Sequence, residues 1–468
     1  MATQTGIAVY PVSGGKNWGY GSRLPTRDDT VILDLGRMNR IVEVNEELGY
    51  VVVEPGVTFR QLYDELRARR SGMRMSVPGT TPDASVLGNA VERGLGFGPP
   101  VERFSSVADM QIVLATGEVV HTGFSRFAEA RCAHVHRYGV GPALGGLFSQ
   151  SNLGVVSAMT FWLDPKPAAI TLLTFTLADN AALERFAPTL RRCVRPGLDV
   201  RLQNGARHRV TSRGETRGVR GWLAERILGS PAAWHGTFAI YAASSLEAYA
   251  TYRRLVRELE AHPDATHIRH WGLTTQVGAR ALLGPLRRLG LGGAATIADM
   301  EASLWGGRPQ DAALLPTYAA MGKQPGDDRP SMPSDRCGLI WLCPVTSTRG
   351  EDMRRVAELT ERTTAEHGFV PQVNFRVVSR RGAEAIIGIV YDRDEEGKDA
   401  RAMACHDDLF DALTTSGYLP YRLGVQSMSR LPPSSDDADA ILARIKKVLD
   451  PEHIVAPGRY VADRKEPL

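Results

Sequence analysis

The feature that most constrains this chain lies at its beginning, where a strand-like run from Ile7 to Val12 leads into the glycine-rich stretch Ser13-Gly-Gly-Lys-Asn-Trp-Gly-Tyr-Gly21. Glycine permits positive φ and close approach of the backbone, so such a turn can bring several N–H groups onto one anion. No helix signal follows the turn. The stretch is therefore either a plain loop or a phosphate-binding turn, and other motifs in the chain are needed to distinguish the two.

Length, charge and cysteine content narrow the class of protein. A chain of 468 residues exceeds the size at which one hydrophobic core usually stops growing, so we expect two domains or large lobes. The net charge of +4 is spread along the chain, and its basic clusters lie among leucines at helical spacing, which indicates solvated helix faces and no nucleic-acid partner. Five cysteines without Cys-x-x-Cys spacing predict neither a disulfide framework nor a metal site.

The hydrophobicity pattern also bears on location. No stretch reaches the length that spans a membrane, and the N-terminus lacks the basic region and apolar core of a leader peptide. We therefore expect a cytoplasmic protein without a membrane partner.

The chain up to residue 166 is predicted to form short strands separated by turns. Apolar runs mark them at Val31–Leu35, Ile41–Val44, Tyr50–Glu54, Met110–Ala115 and Val155–Leu163. One helix interrupts these strands, because Thr58 is a suitable N-cap and Leu62, Tyr63 and Leu66 form an apolar face behind it.

Beyond Pro165-Lys-Pro167 the pattern changes to strands that alternate with longer helices. The strands are predicted at Ile170–Leu177, Thr237–Ala243, Leu339–Cys343, Val370–Val378 and Ala385–Tyr391. The helices are predicted at Asn180–Arg192, Leu246–Ala261, Glu351–His367, Ala400–Thr415 and Asp436–Leu449. This pattern favours an α+β lobe in which helices cover one face of a sheet.

A dinucleotide-binding fold of the Rossmann type is the natural rival, and Gly290-Leu-Gly-Gly-Ala-Ala295 formally matches its fingerprint. The fingerprint requires a buried strand before the glycines. Leu282–Leu289 is instead typical of a leucine- and arginine-rich helix. We therefore predict a loop at Gly290–Ala295.

Further motifs accompany the glycine-rich stretch along the chain. They are Val53-Glu-Pro-Gly-Val57, Val77-Pro-Gly79, Ser85-Val-Leu-Gly-Asn-Ala-Val-Glu-Arg-Gly94, Tyr138-Gly-Val-Gly-Pro142, Phe148-Ser-Gln-Ser-Asn-Leu-Gly154, Tyr421-Arg422 and Ala456-Pro-Gly-Arg459. In this order, over nearly the whole chain, the set resembles the vanillyl-alcohol oxidase/p-cresol methylhydroxylase family of flavoproteins.

The resemblance implies an α+β fold with a PCMH-type FAD-binding domain over residues 1–166 and a substrate-binding cap domain over 167–430, whose antiparallel sheet is covered by helices. A segment over 431–468 would return to the FAD domain. It implies FAD as the cofactor, and no metal. The residues it assigns to cofactor binding are Ser13, Gly14, Gly15, Asn17, Gly19, Gly21, Pro78, Gly79, Ser85, Gly88, Asn89, Gln150, Ser151, Gly154, Val155 and Arg459.

The chemistry of these residue types suits a flavin. Glycines let backbone donors reach the pyrophosphate, while Gly88 and Asn89 offer a close approach together with amide donors and acceptors. Such contacts along the pyrimidine edge stabilise the negative charge of a reduced flavin. Ordinary turn chemistry explains the same residue types and stays open as the alternative.

For the substrate, the resemblance implies a phenol oxygen held by Tyr20, Tyr421 and Arg422. A phenol with a pKa near ~10 loses its proton more easily when an arginine and two hydroxyl donors hold its oxygen. The phenolate then pushes electrons through the ring, so that a para substituent can release a hydride to flavin N5 and leave a p-quinone methide. Water addition gives an alcohol, and a second oxidation gives a carbonyl.

The chain departs from the family pattern at several places. The segment before the glycine-rich stretch is short, so either the start is misplaced or the FAD domain is truncated. The histidine or tyrosine that links the flavin covalently aligns near Ser331, where neither type occurs, so we expect dissociable FAD. The family's carboxylates align with Asn374 and with Gly79 or Thr80, which leaves Asp83 as a substitute base or a plain turn residue.

The predicted activity is therefore FAD-dependent oxidation of a 4-alkylphenol or 4-hydroxybenzyl alcohol. Two alternatives stay open: an FAD-dependent oxidase or dehydrogenase of a natural-product alcohol or amine, and a homologue without catalysis that does not hold FAD. The expected electron acceptor is oxygen or a cytochrome-like protein. The oligomeric state is open, with a homodimer as one alternative.

Overall fold

Strands of two antiparallel sheets dominate the computed structural model, which describes residues 2–204, 233–272, 303–326 and 329–461. Those up to residue 165 are β1 (Ala8–Val12), β2 (Thr30–Asp34), β3 (Ile41–Asn45), β4 (Tyr50–Val53), β5 (Met73–Arg74), β6 (Val107–Val113), β7 (Val119–His121), β8 (Val155–Trp162) and β9 (Asp164–Pro165). The first sheet has the order β3-β4-β8-β6-β7. Strands β1 and β2 pair in parallel beside it, and β5 pairs with β9.

The second sheet is formed by the later strands β10 (Ala169–Leu177), β11 (Leu198–Asn204), β12 (Trp234–Ala242), β13 (Thr266–Gly272), β14 (Cys337–Leu342), β15 (Val345–Ser347), β16 (Val373–Val377) and β17 (Gly382–Asp392). Its order is β13-β10-β12-β11-β16-β17-β14, with β15 paired to β17. Every neighbouring pair is antiparallel. Mixed helices and antiparallel sheets confirm the predicted α+β class.

The described helices are α1 (Ala2–Thr5), α2 (Phe59–Ala68), α3 (Val86–Val91), α4 (Asn180–Cys193), α5 (Ser245–Glu260), α6 (Leu315–Ala320), α7 (Gly350–Glu366), α8 (Lys398–Thr415) and α9 (Ala438–Leu449). Short 3-10 helices span Arg103–Ser106, Gly123–Arg126, Gly145–Phe148, Asp311–Leu314 and Val425–Arg430. Side-chain caps start several of them: Thr58 accepts from the Gln61 N–H at 3.1 Å, as the sequence predicts, and Ser85 caps α3. None of these helices is both long and apolar enough to cross a membrane.

Each sheet has its own hydrophobic core. The core of the first is formed by α2 and α3 against the sheet, through residues such as Phe59, Leu62, Met110, Ile112 and Phe161. In the second, α4, α5, α7 and α8 cover one face, with Leu173, Phe175, Phe186, Phe238 and Phe410 at the centre. The charged residues of the second sheet stand on its other face, as described below.

The described elements agree closely with the predicted strands and helices, while the domain boundaries after residues 166 and 430 stay a prediction. Besides the 3-10 helices, the described elements that were not predicted are the helices α1, α3 and α6 and the strands β5, β7, β9, β11, β13 and β15. The predicted helix Leu282–Leu289 and loop Gly290–Ala295 lie outside the described residues.

Lys446 ties the C-terminal segment to the first sheet's loops. Its ammonium group, 1% exposed, donates to the carbonyl oxygens of Asn152 at 2.6 Å and Val455 at 2.9 Å. It also pairs with the buried carboxylate of Asp450 at 2.5 Å, which in turn accepts from the N–H groups of Ile454 and Val455. One buried ion pair therefore shapes the loop that leads to Arg459.

Lys446→Ala is expected to lower the free energy of unfolding by about 3–5 kcal/mol, because Asp450 would stay buried without its cation. The matched control is Lys447→Ala, which removes an exposed lysine from the same helix and is expected to change stability by less than about 0.5 kcal/mol. Urea unfolding followed by tryptophan fluorescence measures both variants. Equal midpoints would contradict a role for the ion pair.

Candidate active site

A cavity lies where four segments distant in sequence meet: the glycine-rich stretch, α3, the loop before β8 and the C-terminal loop. The predicted cofactor residues that line it are Ser13, Gly14, Gly15, Asn17, Ser85, Gly88, Asn89, Ser151, Gly154, Val155 and Arg459. Arg422, predicted as a substrate-binding residue, also lines this cavity. The fold thus brings most of the predicted cofactor residues to one place.

The cavity wall fits the pyrophosphate of a dinucleotide. A Cβ atom on Gly88 would lie 2.3 Å from the Ser13 Oγ, so only glycine lets α3 approach the glycine-rich stretch this closely. Among the described residues, none accepts a hydrogen bond from the backbone N–H of Gly14, Gly15 or Lys16. These three donors are available to an anionic ligand, as the phosphates of FAD require.

Some predicted cofactor residues do not line this cavity: Gly19, Gly21, Pro78, Gly79 and Gln150. Gly19 adopts a φ of +81°, and a Cβ there would lie 2.3 Å from the Trp341 ring, so it allows the second sheet to pack onto the glycine-rich stretch. The Gln150 amide donates to the Tyr421 carbonyl oxygen at 2.9 Å. Gly19 therefore lies at a contact with the second sheet and Gln150 at a contact with the Tyr421 segment, and their assignment to cofactor binding stays a prediction.

Tyr20, Tyr421 and Arg422 lie together although they come from opposite ends of the chain. The guanidinium of Arg422 stacks 4.1 Å from the centre of the Tyr20 ring, and its Nη2 donates to the Asn17 side chain at 2.5 Å. The Tyr20 hydroxyl lies 3.1 Å from the Cys343 Sγ, and the Cys343 carbonyl accepts from the backbone N–H of Tyr421 at 3.1 Å. Cys343 therefore links the two tyrosines.

The protonation states of this group follow from burial. Burial raises the pKa of the Tyr20 hydroxyl well above its usual value, and nearby Cys343 raises it further. Burial likewise raises the pKa of the Tyr421 hydroxyl, with Cys343 contributing. Burial alone would lower the pKa of Arg422, but the neighbouring oxygens of Tyr20 and Glu92 outweigh it and raise the pKa. The group therefore presents two neutral hydroxyl donors beside a permanent cation.

Glu92 supplies the negative charge that holds the arginines at the site. Its carboxylate pairs with Arg459, lies 3.5 Å from the Arg422 Nε, and accepts from the Tyr460 hydroxyl at 2.7 Å. Burial would raise the pKa of Glu92, but Arg459 and Arg422 outweigh it and keep the pKa below the usual value. Glu92 stands inside the motif Ser85–Gly94, but no local signal in the sequence pairs it with residues more than three hundred positions away.

Asp83, which the sequence leaves open as a substitute base or a turn residue, lies beside Arg60. Asp83 is held by the Arg60 guanidinium at 2.8 Å, whose hydrogen bond lowers the Asp83 pKa, so this carboxylate serves as an ion-pair partner. Asn374 lies on β16, and its buried Oδ1 has no hydrogen-bond partner among the described residues. Ser331 donates to the Ser334 Oγ at 3.0 Å.

The described residues contain no cluster of three or more His, Cys, Asp or Glu suited to a metal.

Comparison with known proteins identifies the family. Residues 1–123 match the FAD binding domain family FAD_binding_4. The chain is 39% identical to 1'-carboxy-chondrochloren decarboxylase of Chondromyces crocatus over 473 residues, which covers 98% of this chain and 87% of the relative. It is 28% identical to the 4-cresol dehydrogenase [hydroxylating] flavoprotein subunit of Pseudomonas putida over 475 residues, which covers 98% of this chain and 84% of that relative.

A solved structure of p-cresol methylhydroxylase with substrate bound superposes with a TM-score of 0.82 at 25% identity, covering 100% of this chain and 86% of that structure. The predicted PCMH-type fold and the FAD cofactor are confirmed by these similarities. The chain therefore belongs to the vanillyl-alcohol oxidase/p-cresol methylhydroxylase family of FAD-dependent oxidoreductases.

Proposed function

We propose that this protein oxidises a para-substituted phenol, of the 4-alkylphenol or 4-hydroxybenzyl alcohol type. The observation that carries the proposal is the convergence of Tyr20, Tyr421 and Arg422 beside the cofactor cavity. Two neutral hydroxyl donors and a guanidinium are the groups that favour a phenolate over a phenol. The p-cresol methylhydroxylase and 4-cresol dehydrogenase similarities support the same substrate class.

The residues act on the phenol oxygen. Arg422 and the two tyrosine hydroxyls hold this oxygen as a phenolate, which pushes electrons through the ring toward the para carbon. FAD, when bound, supplies the acceptor for the hydride that leaves the benzylic position. Glu92 keeps Arg422 in place, since it lies beside the Arg422 Nε and accepts from the neighbouring Tyr460. Water addition to the resulting p-quinone methide gives an alcohol, and a second oxidation gives a carbonyl.

A second candidate is oxidation of a substrate that also loses a carboxyl group as CO2. The 39% identity to a decarboxylase of a carboxy compound favours it. The face of the second sheet near the site carries two buried arginines, Arg201 and Arg376, which share the single carboxylate of Asp199, and the excess positive charge suits an anionic substrate. Release of CO2 from a para-substituted phenol carrying a side-chain carboxylate would support this candidate. Oxidation of a natural-product alcohol or amine is a third reading of the same FAD chemistry.

The electron acceptor in this proposal is oxygen or a cytochrome-like protein, and a homodimer is compatible with it. We further propose that FAD binds without a covalent link, because the region of Ser331 offers neither histidine nor tyrosine.

Acid precipitation of the holoprotein is expected to leave the yellow flavin in the supernatant, because only non-covalent contacts such as the Gly14–Lys16 N–H groups hold it. Absorbance spectra of the pellet and the supernatant measure the distribution. Flavin fluorescence that migrates with the denatured protein band on a gel would contradict non-covalent binding.

Arg422→Lys is expected to slow flavin reduction by a 4-alkylphenol about ten- to a hundredfold, because an ammonium group cannot reproduce the paired donors of a guanidinium. Anaerobic stopped-flow bleaching of the flavin measures the rate, and FAD content is measured in parallel. Arg430→Lys is the matched control. Arg430 lies in the neighbouring 3-10 helix and pairs with Asp411 of α8 at 2.7 Å, away from the Tyr20 ring. If the flavin of Arg422→Lys is reduced at the wild-type rate, Arg422 has a structural role only.

Tyr20→Phe and Tyr421→Phe are each expected to slow anaerobic reduction by a para-substituted phenol by about tenfold. Because both hydroxyls would bind one oxygen, the double variant is expected to deviate from the product of the single effects. Tyr418→Phe is the matched control, as its hydroxyl donates to Asp352 at 3.1 Å instead. A 4-methoxy analogue, which forms no phenolate, is expected to leave the flavin oxidised. Rapid reduction of the wild-type flavin by this analogue would contradict activation through a phenolate.

A further inference from the structure

The charged face of the second sheet carries a carboxylate that the proposed mechanism has not used. Strands β16 and β17 pair so that Arg376 lies opposite Glu384 and Asn374 lies opposite Ile386. The residues next to Glu384 along β17, Ala383 and Ala385, belong to the hydrophobic core under the helices. Since side chains alternate along a strand, Asn374, Arg376 and Glu384 share the opposite face.

This face is directed toward the FAD-binding region. The Arg376 Nη2 donates to the carbonyl oxygen of Gly96 at 2.5 Å. Trp341 of β14 pairs with Gly388, which shares the face of Glu384, and the Trp341 ring packs against Gly19 next to Tyr20. The sheet therefore covers the tyrosine and arginine group with its polar face.

The backbone places Glu384 beside Tyr421. Cys343 and Pro344 lie between them: the Cys343 carbonyl accepts from the Tyr421 N–H at 3.1 Å, and the Pro344 carbonyl accepts from the Ala385 N–H at 2.9 Å. The Glu384 charge acts on both Tyr421 and Cys343, since it raises the pKa of each. Glu384 is thus an immediate neighbour of the proposed phenol-binding group.

Glu384 is a buried carboxylate with an oxygen that no described residue contacts by a hydrogen bond. The side chain is 8% exposed, and its Oε2 has no hydrogen-bond partner among the described residues. A buried polar atom of this kind is costly unless a ligand or water satisfies it. Its burial and position point to a bound molecule as the missing partner.

Burial raises the pKa of Glu384 to about 7, which is suited to exchanging protons near neutral pH. The charged and titratable groups that face it from neighbouring elements are Arg376 of β16, Glu102, Cys343 and Tyr421. Arg376 lowers the Glu384 pKa and Glu102 raises it. Asn374, on the same face, carries an amide, which cannot accept a proton as a carboxylate does.

We infer that Glu384 is the catalytic base that takes a proton from the water molecule adding to the p-quinone methide. The inference rests on the proposed function. Once the substrate has lost its benzylic hydride, the water oxygen bonds to the methide carbon and one water proton moves to the Glu384 carboxylate. The electron pair displaced from the exocyclic double bond passes through the ring to the phenol oxygen beside Arg422. The products are the phenolate form of a benzylic alcohol and a protonated Glu384, so the negative charge moves from the carboxylate to the phenol oxygen and all atoms are accounted for.

The test uses 4-ethylphenol, whose quinone methide has two outcomes. Water addition gives 1-(4-hydroxyphenyl)ethanol, and loss of a methyl proton gives 4-vinylphenol. In Glu384→Gln holoenzyme, the ratio of alcohol to vinylphenol is expected to fall about tenfold or more, because this ratio depends on the step after flavin reduction and not on the reduction rate. Chromatography of the products measures the ratio, and anaerobic bleaching measures the reduction.

Glu361→Gln is the matched control, because Glu361 is a carboxylate on α7 whose pKa burial also raises, yet it accepts from Asn180 at 2.8 Å on the helical side of the second sheet. This variant is expected to keep the wild-type ratio. Glu384→Asp keeps a carboxylate and is expected to retain more alcohol than Glu384→Gln, which separates proton transfer from a general effect on folding.

The pH dependence gives a second readout. A base acts when deprotonated, so the alcohol share of the wild-type product is expected to rise between about pH 6 and about pH 8 and to be flat in Glu384→Gln. A Glu384→Gln enzyme with wild-type ratio and pH profile would overturn the role of Glu384 alone. A wild-type flavin that no 4-alkylphenol reduces would overturn the proposed function and this role with it.

Discussion

The buried carboxylate of Glu92 is the interaction around which the site is assembled. It follows α3 and contacts Arg422, Arg459 and Tyr460, which come from the far end of the chain. A buried negative charge needs compensation, so these residues are held where their cations face the cofactor cavity. Arg422 in turn stacks on Tyr20, and through this contact the glycine-rich stretch is joined to the Tyr421 segment.

The two faces of the second sheet divide structure from chemistry. One face packs under α4, α5, α7 and α8 and is entirely apolar at its centre. The other carries Asp199, Arg201, Arg376 and Glu384 over the FAD-binding region, where Asp199 forms an ion pair with each arginine. Because a strand alternates its side chains, one hairpin such as β16–β17 can supply the core and the site at once. The polar face of the second sheet thereby covers the group formed by Tyr20, Tyr421 and Arg422.

Local signals account for most of the secondary structure. Thr58 caps α2, apolar runs form the strands of both sheets, and amphipathic periodicity marks α4, α5, α7 and α8, because these patterns act over a few residues. Several short elements and strand β11 lack such a local signal. The six-residue α3 is too short for a periodic signal, and its glycine and asparagine are also typical turn residues. Strand β11 carries Asp199, Arg201 and Gln203 among its apolar residues, which obscures its burial.

The sequence by itself determined the α+β class and the FAD cofactor, and it singled out Tyr20, Tyr421 and Arg422 as candidate substrate-binding residues, because the order of motifs along the chain carries that information. Only the tertiary structure decided which of these residues share the cofactor cavity and which, like Gly19, let the sheets approach. It also decided the surroundings of Glu92 and Glu384. Each acquires its chemistry from burial and from partners hundreds of positions away, and no local pattern encodes either.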